Sequence, residues 1–325
     1  MMLRASVIVC TLNRCDLLDG CLASLAVQQL APNDFEVVVV DNGSTDGTQG
    51  VVERWMNSVE NVRLEFEPAI GLSRARNAGI RVARGDVVAF LDDDAVATEG
   101  WLAALLDGYS RWPGVAAVAG PARLVWPRER PLWLVPAMER WFSGLDFGNQ
   151  PRLLTDSETP FGTNMSMRRE VITVAGGFAV ELGRKGTGLI SNDEKELFSR
   201  VRHAGHAIAY EPGAAVWHRV GKDRLAPGWL IRRAYAQGRS DVALERLRLD
   251  KVGRDVPTPR RALGMLLAAT IRGWPEAVNK LIGADNKSGL AMAQAIRRAR
   301  CLGYARETFI PSLTPRGGGE RRFNP

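Results

Sequence analysis

The chain has 325 residues, 46% of them hydrophobic and 24% charged, which is long enough for one large folded domain or a domain with a smaller appendage. Its net charge of +7 is concentrated near one end, because residues 251–325 carry 14 Lys and Arg against 5 Asp and Glu and leave residues 1–250 at −2. The longest apolar stretch outside the predicted strands, residues 262–271, is about half of the ~20 residues that span a membrane, and no N-terminal signal-peptide pattern is present. The four cysteines form no C-x-x-C pair, which favours reduced thiols. We therefore expect a cytoplasmic protein, soluble or peripheral to a membrane.

Residues 1–120 alternate between apolar, β-branched runs and segments of helical period. This pattern predicts an α/β fold with a doubly wound parallel sheet. The predicted strands are residues 5–10, 35–40, 62–66, 86–91 and 115–119. The predicted helices are residues 16–29, 46–57, 72–84 and 99–111. Asp16, Asp46 and Ser73 are the candidate N-caps for three of these helices.

Beyond residue 120 the chain becomes rich in Pro and Trp, which rules out one continuous helix or a central strand. We expect a long, partly ordered insertion here. Regular structure is predicted to resume with a helix at 193–204 and short strands at 207–210 and 214–217. From Pro227 the chain is predicted to be helical to about residue 306, and the tail 311–325 is predicted to be disordered.

Polar side chains follow three of the predicted strands. The first strand is followed by residues 11–14 (Thr-Leu-Asn-Arg), the second by Asp41 and Asn42, and the fourth by the run Asp92-Asp93-Asp94. A single acidic residue after a strand is more often a turn or a helix cap. In an open α/β sheet, however, ligands bind beyond the carboxyl ends of the strands, so three polar ends at one edge favour a binding site.

The carboxylate run at 92–94 requires solvation or a neutralising cation. Oxygen ligands of this kind favour Mg²⁺ or Mn²⁺, and such a metal can bridge the oxygens of a diphosphate. The alternative is a solvated acidic turn that caps the helix starting near residue 99.

Four segments, residues 7–14, 37–46, 71–79 and 85–94, resemble in order and spacing the family 2 glycosyltransferases of the GT-A fold. The resemblance extends over residues 3 to 220. It implies an inverting sugar transfer from a nucleotide-diphosphate sugar, in cell-surface or extracellular polysaccharide or glycolipid synthesis. It also implies a GT-A catalytic domain at 1–222, with a nucleotide-sugar-binding half at 1–120 and an acceptor-side half at 121–222. A basic helical extension would follow at 223–310.

The same resemblance assigns site residues. The implied donor-binding residues are Thr11, Asn13, Arg14, Asp41, Asn42, Arg76, Asp92 and Asp93. The implied metal ligands are Asp94, Asp92 and His218. Within these sets, Asp41 would contact the base and Arg76 the sugar or diphosphate, and a guanidinium suits a diphosphate on physical grounds. The alternatives are a solvated helix arginine for Arg76 and a structural role for His218.

The acceptor side of the resemblance rests on a Gly-Thr-Asn-Met segment at 162–165 and on Asp193-Glu194 at the start of a helix. Family members usually carry Glu-Asp where this chain has Asp-Glu. By register, Glu194 occupies the position of the catalytic base, which takes the proton of the acceptor hydroxyl. The reversed pair leaves open whether Asp193 or Glu194 is that base. Helix N-terminal acids that complement the dipole are the alternative for both.

The C-terminal quarter mixes apolar and arginine positions, as in residues 229–235. Such helices are typical of contact with an anionic membrane, which would suit a lipid-linked acceptor, but also of amphipathic helices packed on a catalytic domain. A dehydrogenase or P-loop enzyme is disfavoured because no G-x-G-x-x-G follows the first strand and no G-x-x-x-x-G-K-[ST] occurs. A sugar nucleotidyltransferase and a non-catalytic binding protein of the same fold stay open. A nucleic-acid binder is disfavoured because the basic region lacks a recognised motif.

Overall fold

The computed structural model describes residues 3–252, 257–271 and 287–311. A central sheet has eight strands in the order β3-β2-β1-β4-β9-β6-β10-β8, and a second sheet has three in the order β5-β11-β7. The strands are β1 Ala5–Thr11, β2 Phe35–Asp41, β3 Val62–Phe66, β4 Val87–Leu91, β5 Ala95–Ala97, β6 Ala117–Ala119, β7 Ala122–Val125, β8 Arg152–Leu153, β9 Asn164–Arg168, β10 Ile208–Tyr210 and β11 Val216–Arg219. The helices are α1 Cys15–Ala26, α2 Thr48–Ser58, α3 Leu72–Val82, α4 Trp101–Arg111, α5 Arg169–Val174, α6 Asp193–His203, α7 Pro227–Val252, α8 Pro259–Ile271 and α9 Lys287–Phe309.

The central sheet is mostly parallel and covered by helices, which confirms the predicted fold class. Strands β1, β2 and β4 are buried along nearly their whole length, as expected for parallel strands with helices on both faces. The register pairs Thr11 with Asp41, so the polar residues that end β1 and β2 lie side by side at one edge. Strand β9 then inserts antiparallel between β4 and β6. The bounds of the predicted elements differ from the observed ones by a few residues at most, but the prediction that regular structure resumes only at residue 193 was wrong, because β9 and α5 already form at 164–174.

The N-cap predictions were wrong for Asp16 and Ser73, which lie inside the first turns of α1 and α3. In α1 the physical reason is that Asp46, which lies outside the helix, accepts hydrogen bonds from amides at the starts of both α1 and α2. Its Oδ2 accepts a hydrogen bond from the Cys15 amide at 3.2 Å, and its Oδ1 accepts one from the Thr48 amide at 3.0 Å. One carboxylate thereby satisfies amides at the starts of α1 and α2. A hydrogen bond from the Thr48 hydroxyl, together with these amide bonds, lowers the pKa of Asp46 to about 2.

The Pro- and Trp-rich region is an ordered apolar layer. It contains β7 and a 3-10 turn at Pro136–Phe142. The ring of Phe142 stacks on Trp229 of α7 and meets Trp126 edge-on, both with centroids 5.3 Å apart. Residues of this layer, of α7 and of α9 share one apolar cluster, so the C-terminal helices pack on the insertion. Leu230 is likewise buried in that cluster, so Trp229 and Leu230 at the start of α7 face the protein interior, whereas Ile231 is exposed.

Helices α7 and α9 cross at very short range through two glycines. A Cβ atom on Gly238 would collide with the carbonyl oxygen of Arg300, and one on Gly303 would collide with that of Tyr235. Among the described residues, no helix has the length and apolar character needed to cross a membrane. The predicted disordered tail lies outside the described residues from position 312 onward.

Candidate active site

A cavity of about 180 Å³ opens where β1 and β4 end and where α3 and α6 begin. Its lining includes five arginines and five carboxylates. These are Arg14, Arg76, Arg184, Arg224 and Arg233, with Asp92, Asp93, Asp94, Asp193 and Glu194. The run at 92–94 and the pair at 193–194, far apart in the chain, therefore share one cavity, which is the arrangement expected from the sequence.

Arg76 joins the two acidic groups at the base of the cavity. Its guanidinium donates to Asp193 Oδ2 at 2.7 Å and to Asp92 Oδ1 at 3.3 Å, and the side chain is only 4% exposed. The guanidinium lies directly against Gly162, where a Cβ atom would overlap it. This close approach accounts for the glycine of the Gly-Thr-Asn-Met segment. The solvated-arginine alternative for Arg76 is wrong, because the residue is buried and ion-paired.

Arg14 neutralises the other two carboxylates of the run. It donates to Asp93 Oδ1 at 2.8 Å and to Asp94 Oδ2 at 2.9 Å. Burial raises the pKa of Asp93 to about 7, because Arg14 offsets only part of the desolvation and the Asp94 charge adds to it. For Asp94, burial is outweighed by His218, Arg14 and Arg224, which hold its pKa well below the usual range. Asp94 is the carboxylate of this pair that stays ionised.

Asp94 and His218 form the part of the cavity that suits a metal ion. His218 is 2% exposed, its Nε2 lies 3.1 Å from Asp94 Oδ1, and its Nδ1 has no partner among the described residues. Asp94 Oδ1 is buried and accepts no hydrogen bond of good geometry from the described part of the chain. Both oxygens of Asp92 are instead bound, one by Arg76 and the other by Thr163 at 2.8 Å.

The described residues contain no group of three or more His, Cys, Asp or Glu side chains arranged to hold a metal. A divalent cation here would therefore take one carboxylate and one imidazole from the protein and its other ligands from phosphate oxygens and water. Mg²⁺ is commonly held through one or two carboxylates together with substrate phosphates, and an imidazole can join such an oxygen-rich site as one ligand. The donor set of Asp94 and His218 fits such an ion.

Asp193 and Glu194 differ sharply in their surroundings. Asp193 is 2% exposed and bound in the ion pair with Arg76. Glu194 faces the cavity, and no cationic side chain of the described ranges lies within salt-bridge distance of it. Burial and the neighbouring Asp193 charge raise the pKa of Glu194 to about 8. A carboxylate that faces a cavity, has a raised pKa and forms no ion pair among the described residues has the properties of a general base.

Three of the residues that the sequence assigned to donor binding lie beside the cavity or hold loops around it. Asn13 is exposed, has φ 53°, and accepts a hydrogen bond from the Thr45 amide at 2.7 Å. Asp41 accepts one from the Ser44 amide at 2.8 Å, and neither it nor Asn13 is among the lining residues. Asn42 does line the cavity, but its amide group is bound to the backbone of residues 67–71. Thr11 lines it too, and its hydroxyl lies beside Asp93, whose pKa it lowers against the effect of burial.

Three arginines of the cavity were not predicted from the sequence, and Thr163 was assigned no role. Arg184 lies in the loop before α6, Arg224 in a 3-10 turn after β11, and Arg233 in α7. No local motif marks them, because their convergence depends on how α7 packs. The excess of basic residues was found in residues 251–325, which follow all three arginines, so net charge did not indicate them either.

Comparison with known proteins agrees with this architecture. Residues 6–174 match the sequence profile of Glycosyl transferase family 2. The chain is 28% identical over 249 residues to the glucosyl-dolichyl phosphate glucuronosyltransferase of Haloferax volcanii, covering 75% of this chain and 78% of that one. It is 29% identical over 237 residues to the succinoglycan biosynthesis protein ExoM of Rhizobium meliloti, covering 71% and 72%. Among solved structures, the mannosyltransferase PcManGT of Pyrobaculum calidifontis, in complex with GDP-Man and Mn²⁺, has the same fold, with a TM-score of 0.60, 21% identity and coverage of 96% and 88%.

Proposed function

The chain belongs to glycosyl transferase family 2 and is a glycosyltransferase, and we propose that it transfers a sugar from a nucleotide-diphosphate sugar to an acceptor hydroxyl with inversion at the anomeric carbon. One observation carries this proposal. The same cavity holds Glu194, which forms no ion pair with any described residue, and the separate Asp94–His218 pair, which is suited to a metal and a diphosphate. An inverting single displacement needs these two functions and no covalent intermediate.

Glu194 is the proposed base. In the reaction, the acceptor oxygen forms a bond to the anomeric carbon as the bond to the diphosphate breaks, and Glu194 takes the hydroxyl proton. Its raised pKa, near 8, supports the role because a base with a pKa near the working pH accepts protons efficiently. Asp193 is a positioning residue in this proposal. Its carboxylate holds Arg76, and the charge of Asp193 adds to the burial that raises the pKa of Glu194.

The donor is proposed to bind at the end of the cavity lined by Thr11, Arg14 and Asp94. Arg14 donates a hydrogen bond to Asp94, and His218 contacts the other oxygen of the same carboxylate. A bound Mn²⁺ or Mg²⁺ would supply charge neutralisation for the leaving nucleoside diphosphate. Asp94 and His218 are the proposed protein ligands. Arg76 and Asp92 are proposed to shape the floor of the donor site through their ion pair.

Two substitutions test the two functions separately. Asp94→Ala is expected to abolish metal-dependent binding of the donor, because it removes the charged ligand. Glu194→Gln is expected to keep donor binding and remove transfer. Donor binding is measured as the rise in unfolding temperature of the protein with a nucleotide sugar and Mn²⁺. Asp107→Asn, an exposed position on α4, serves as the matched control and should keep both.

Unchanged Mn²⁺-dependent donor binding in Asp94→Ala would contradict the proposed metal site. Loss of donor binding in Glu194→Gln would contradict the proposed base, because that residue would then belong to the donor side. The two outcomes concern different ends of the cavity, so each can fail alone.

A role in surface polysaccharide or glycolipid synthesis is proposed from the relatives, whose names refer to succinoglycan and to a dolichyl phosphate. Contact with an anionic membrane is proposed for α8. Leu263 and Leu267 of this helix are 54% and 49% exposed, and the exposed residues Arg260 and Arg261 begin it. Leu263→Ser with Leu267→Ser is expected to reduce co-sedimentation with vesicles containing phosphatidylglycerol. Equal sedimentation of this variant and the parent chain would contradict the contact.

A further inference from the structure

Two arginines that line the cavity have no carboxylate partner in the part of the chain that the structure describes. Of the five that line the cavity, Arg14, Arg76 and Arg224 form ion pairs with the aspartates. For Arg184 and Arg233, no carboxylate of the described residues lies within salt-bridge distance. Charges held in a half-buried cavity without a counterion are costly, so this pair calls for an explanation beyond packing.

Within the described ranges, the guanidinium of Arg233 is held by neutral groups. It donates to Gln237 Oε1 at 2.9 Å and to Ser191 Oγ at 3.2 Å. Gln237 is itself held, because it donates to Asn192 Oδ1 at 2.8 Å and to Asp241 Oδ1 at 3.0 Å. This network joins α7 to the residues just before α6. It orients Arg233 in advance and leaves its charge available to a ligand.

The electrostatics of the two arginines agree with an uncompensated positive site. Burial lowers the pKa of Arg233 to about 10, and Arg184 contributes further in the same direction. Burial also lowers the pKa of Arg184, and Arg224 adds to that effect. A lowered arginine pKa means that the charged form is disfavoured where it stands. An anion placed between Arg184 and Arg233 would relieve this cost.

The positions of Arg184 and Arg233 bear on whether the donor or the acceptor would carry that anion. At the donor end, Arg14 and His218 both contact Asp94, whereas Arg233 donates to Ser191, three positions before the proposed base. The Glu194 carboxylate is also among the charges that act on Arg233. Arg233 therefore lies towards the acceptor side, while the charges that act on Arg184 are those of Arg224, Asp94, Asp92 and Arg14, so an anion held by both arginines would lie between the donor end and Glu194.

We propose that Arg184 and Arg233 bind a phosphate group carried by the acceptor and so hold the acceptor hydroxyl within reach of Glu194, an inference that rests on the proposed function. The two guanidinium groups come from separate segments, the loop before α6 and α7 itself. A tetrahedral phosphate has oxygens for both, whereas a planar carboxylate is satisfied by one bidentate arginine. The phosphate can belong to a lipid-linked acceptor or to a soluble sugar or polyol phosphate, since both present the same group.

The test uses the full chain and inorganic phosphate as the first probe. Unfolding temperature is measured at constant ionic strength, with and without a saturating nucleoside diphosphate and Mn²⁺ that occupy the donor end. We expect phosphate to raise the unfolding temperature in both conditions. Arg233→Gln and Arg184→Gln are expected to weaken phosphate binding by about tenfold or more, as for loss of a charged hydrogen bond. Arg232→Gln, the exposed neighbour on α7, is the matched control and should bind phosphate as the parent chain does.

Phosphate binding that disappears once the nucleotide is bound would overturn the inference, because phosphate would then occupy the donor site. Nucleotide binding that weakens in Arg233→Gln as much as phosphate binding does would overturn it as well, since Arg233 would serve the donor. Failure of the parent chain to bind any nucleotide contradicts the proposed function instead. In that case the phosphate titrations still test the proposed phosphate site. Equal phosphate binding in Arg233→Gln and the parent chain would then overturn the inference.

A second pair of probes identifies the source of the phosphate. A short prenyl phosphate in detergent is compared with its prenyl alcohol, and a hexose 1-phosphate with the free hexose. A preference for the prenyl phosphate that is lost in Arg233→Gln supports a lipid-linked acceptor. A preference for the hexose phosphate that is lost in the same variant supports a soluble one. No preference for either phosphorylated compound over its parent alcohol or sugar would overturn the inference.

Discussion

Replacing Glu194 with Gln is expected to remove sugar transfer without weakening the fold. Glutamine keeps the length of the side chain and loses only the ability to take a proton. The Glu194 carboxylate has no cationic partner among the described residues, so its neutralisation breaks no ion pair. A positioned general base contributes about 10²- to 10⁴-fold in rate, and kcat is therefore expected to fall by at least ~100-fold.

Asp193→Asn is the matched comparison and should behave differently. It breaks the 2.7 Å ion pair with Arg76, whose side chain is 4% exposed. Removal of one partner of a buried pair costs about 3–5 kcal/mol. The lower end of that range is expected because Arg76 keeps its 3.3 Å contact with Asp92. Asp193→Asn should therefore lower the free energy of unfolding, measured by urea titration, while Glu194→Gln should not.

The pH dependence gives a second readout of the same group. Burial and the Asp193 charge raise the pKa of Glu194 from an ordinary value of 4.5 to about 8. A base must be ionised to act, so kcat/KM should rise by about tenfold per pH unit below that value and level off above it. The folded-state pKa lies above the unfolded one, so ionisation destabilises the native state as pH rises from 4.5 to about 8. Glu194→Gln should therefore gain stability relative to the parent chain at pH 8 and not at pH 4.

Release of nucleoside diphosphate in a coupled assay, followed across pH for both variants, measures these effects. Full activity in Glu194→Gln together with lost activity in Asp193→Asn would refute the assignment and transfer the base to Asp193. A kcat/KM that does not change between pH 6 and pH 8 would refute the raised pKa.

Three further predictions concern the scaffold. Gly162→Ala should displace Arg76, destabilise the protein by about 1–3 kcal/mol in urea unfolding and lower activity. Its control is Gly50→Ala, where a Cβ atom meets open space, and this change should be neutral or stabilise the protein by up to about 1 kcal/mol. Gly238→Ala should force α7 and α9 apart and lower the unfolding temperature. Gly264→Ala should not, because a Cβ atom there has no heavy atom of the described residues within 4 Å. Equal unfolding temperatures for the two variants would contradict the close crossing. Asp46→Ala should cost about 0.5–2 kcal/mol at neutral pH through loss of its amide bonds. Since the folded pKa of Asp46, about 2, lies below the ordinary 3.8, the difference between parent and variant should shrink as pH falls through that interval, and a difference independent of pH would contradict the capping role.

Much of the fold was predictable because it depends on local patterns. The apolar runs of β1, β2 and β4 are long enough to identify buried parallel strands, and the residues that end them must meet at one edge of the sheet. Arg76, Asp94 and His218 were named from the sequence and line one cavity in the structure. The N-cap error at Asp16 arose from a contact between two loops, since Asp46 bonds to amides of both α1 and α2, whereas Ser73 donates its hydroxyl to the distant Leu182 carbonyl.

The remaining features depend on packing between distant segments. Arg233 lines the cavity because α7 packs on the Trp-rich layer, and no pattern within α7 specifies which arginine turns inward. The different surroundings of Asp193 and Glu194 could not be predicted either. They follow from the burial of Arg76 against Gly162, a glycine 86 positions away along the chain.

The most direct test of donor use is a screen of nucleotide sugars with and without Mn²⁺, with unfolding temperature as the readout. At least one nucleotide-diphosphate sugar should raise the unfolding temperature in a Mn²⁺-dependent manner, and Asp94→Ala should lose that rise. A rise with NAD, together with none for any nucleoside diphosphate or nucleotide sugar, would contradict the proposed donor.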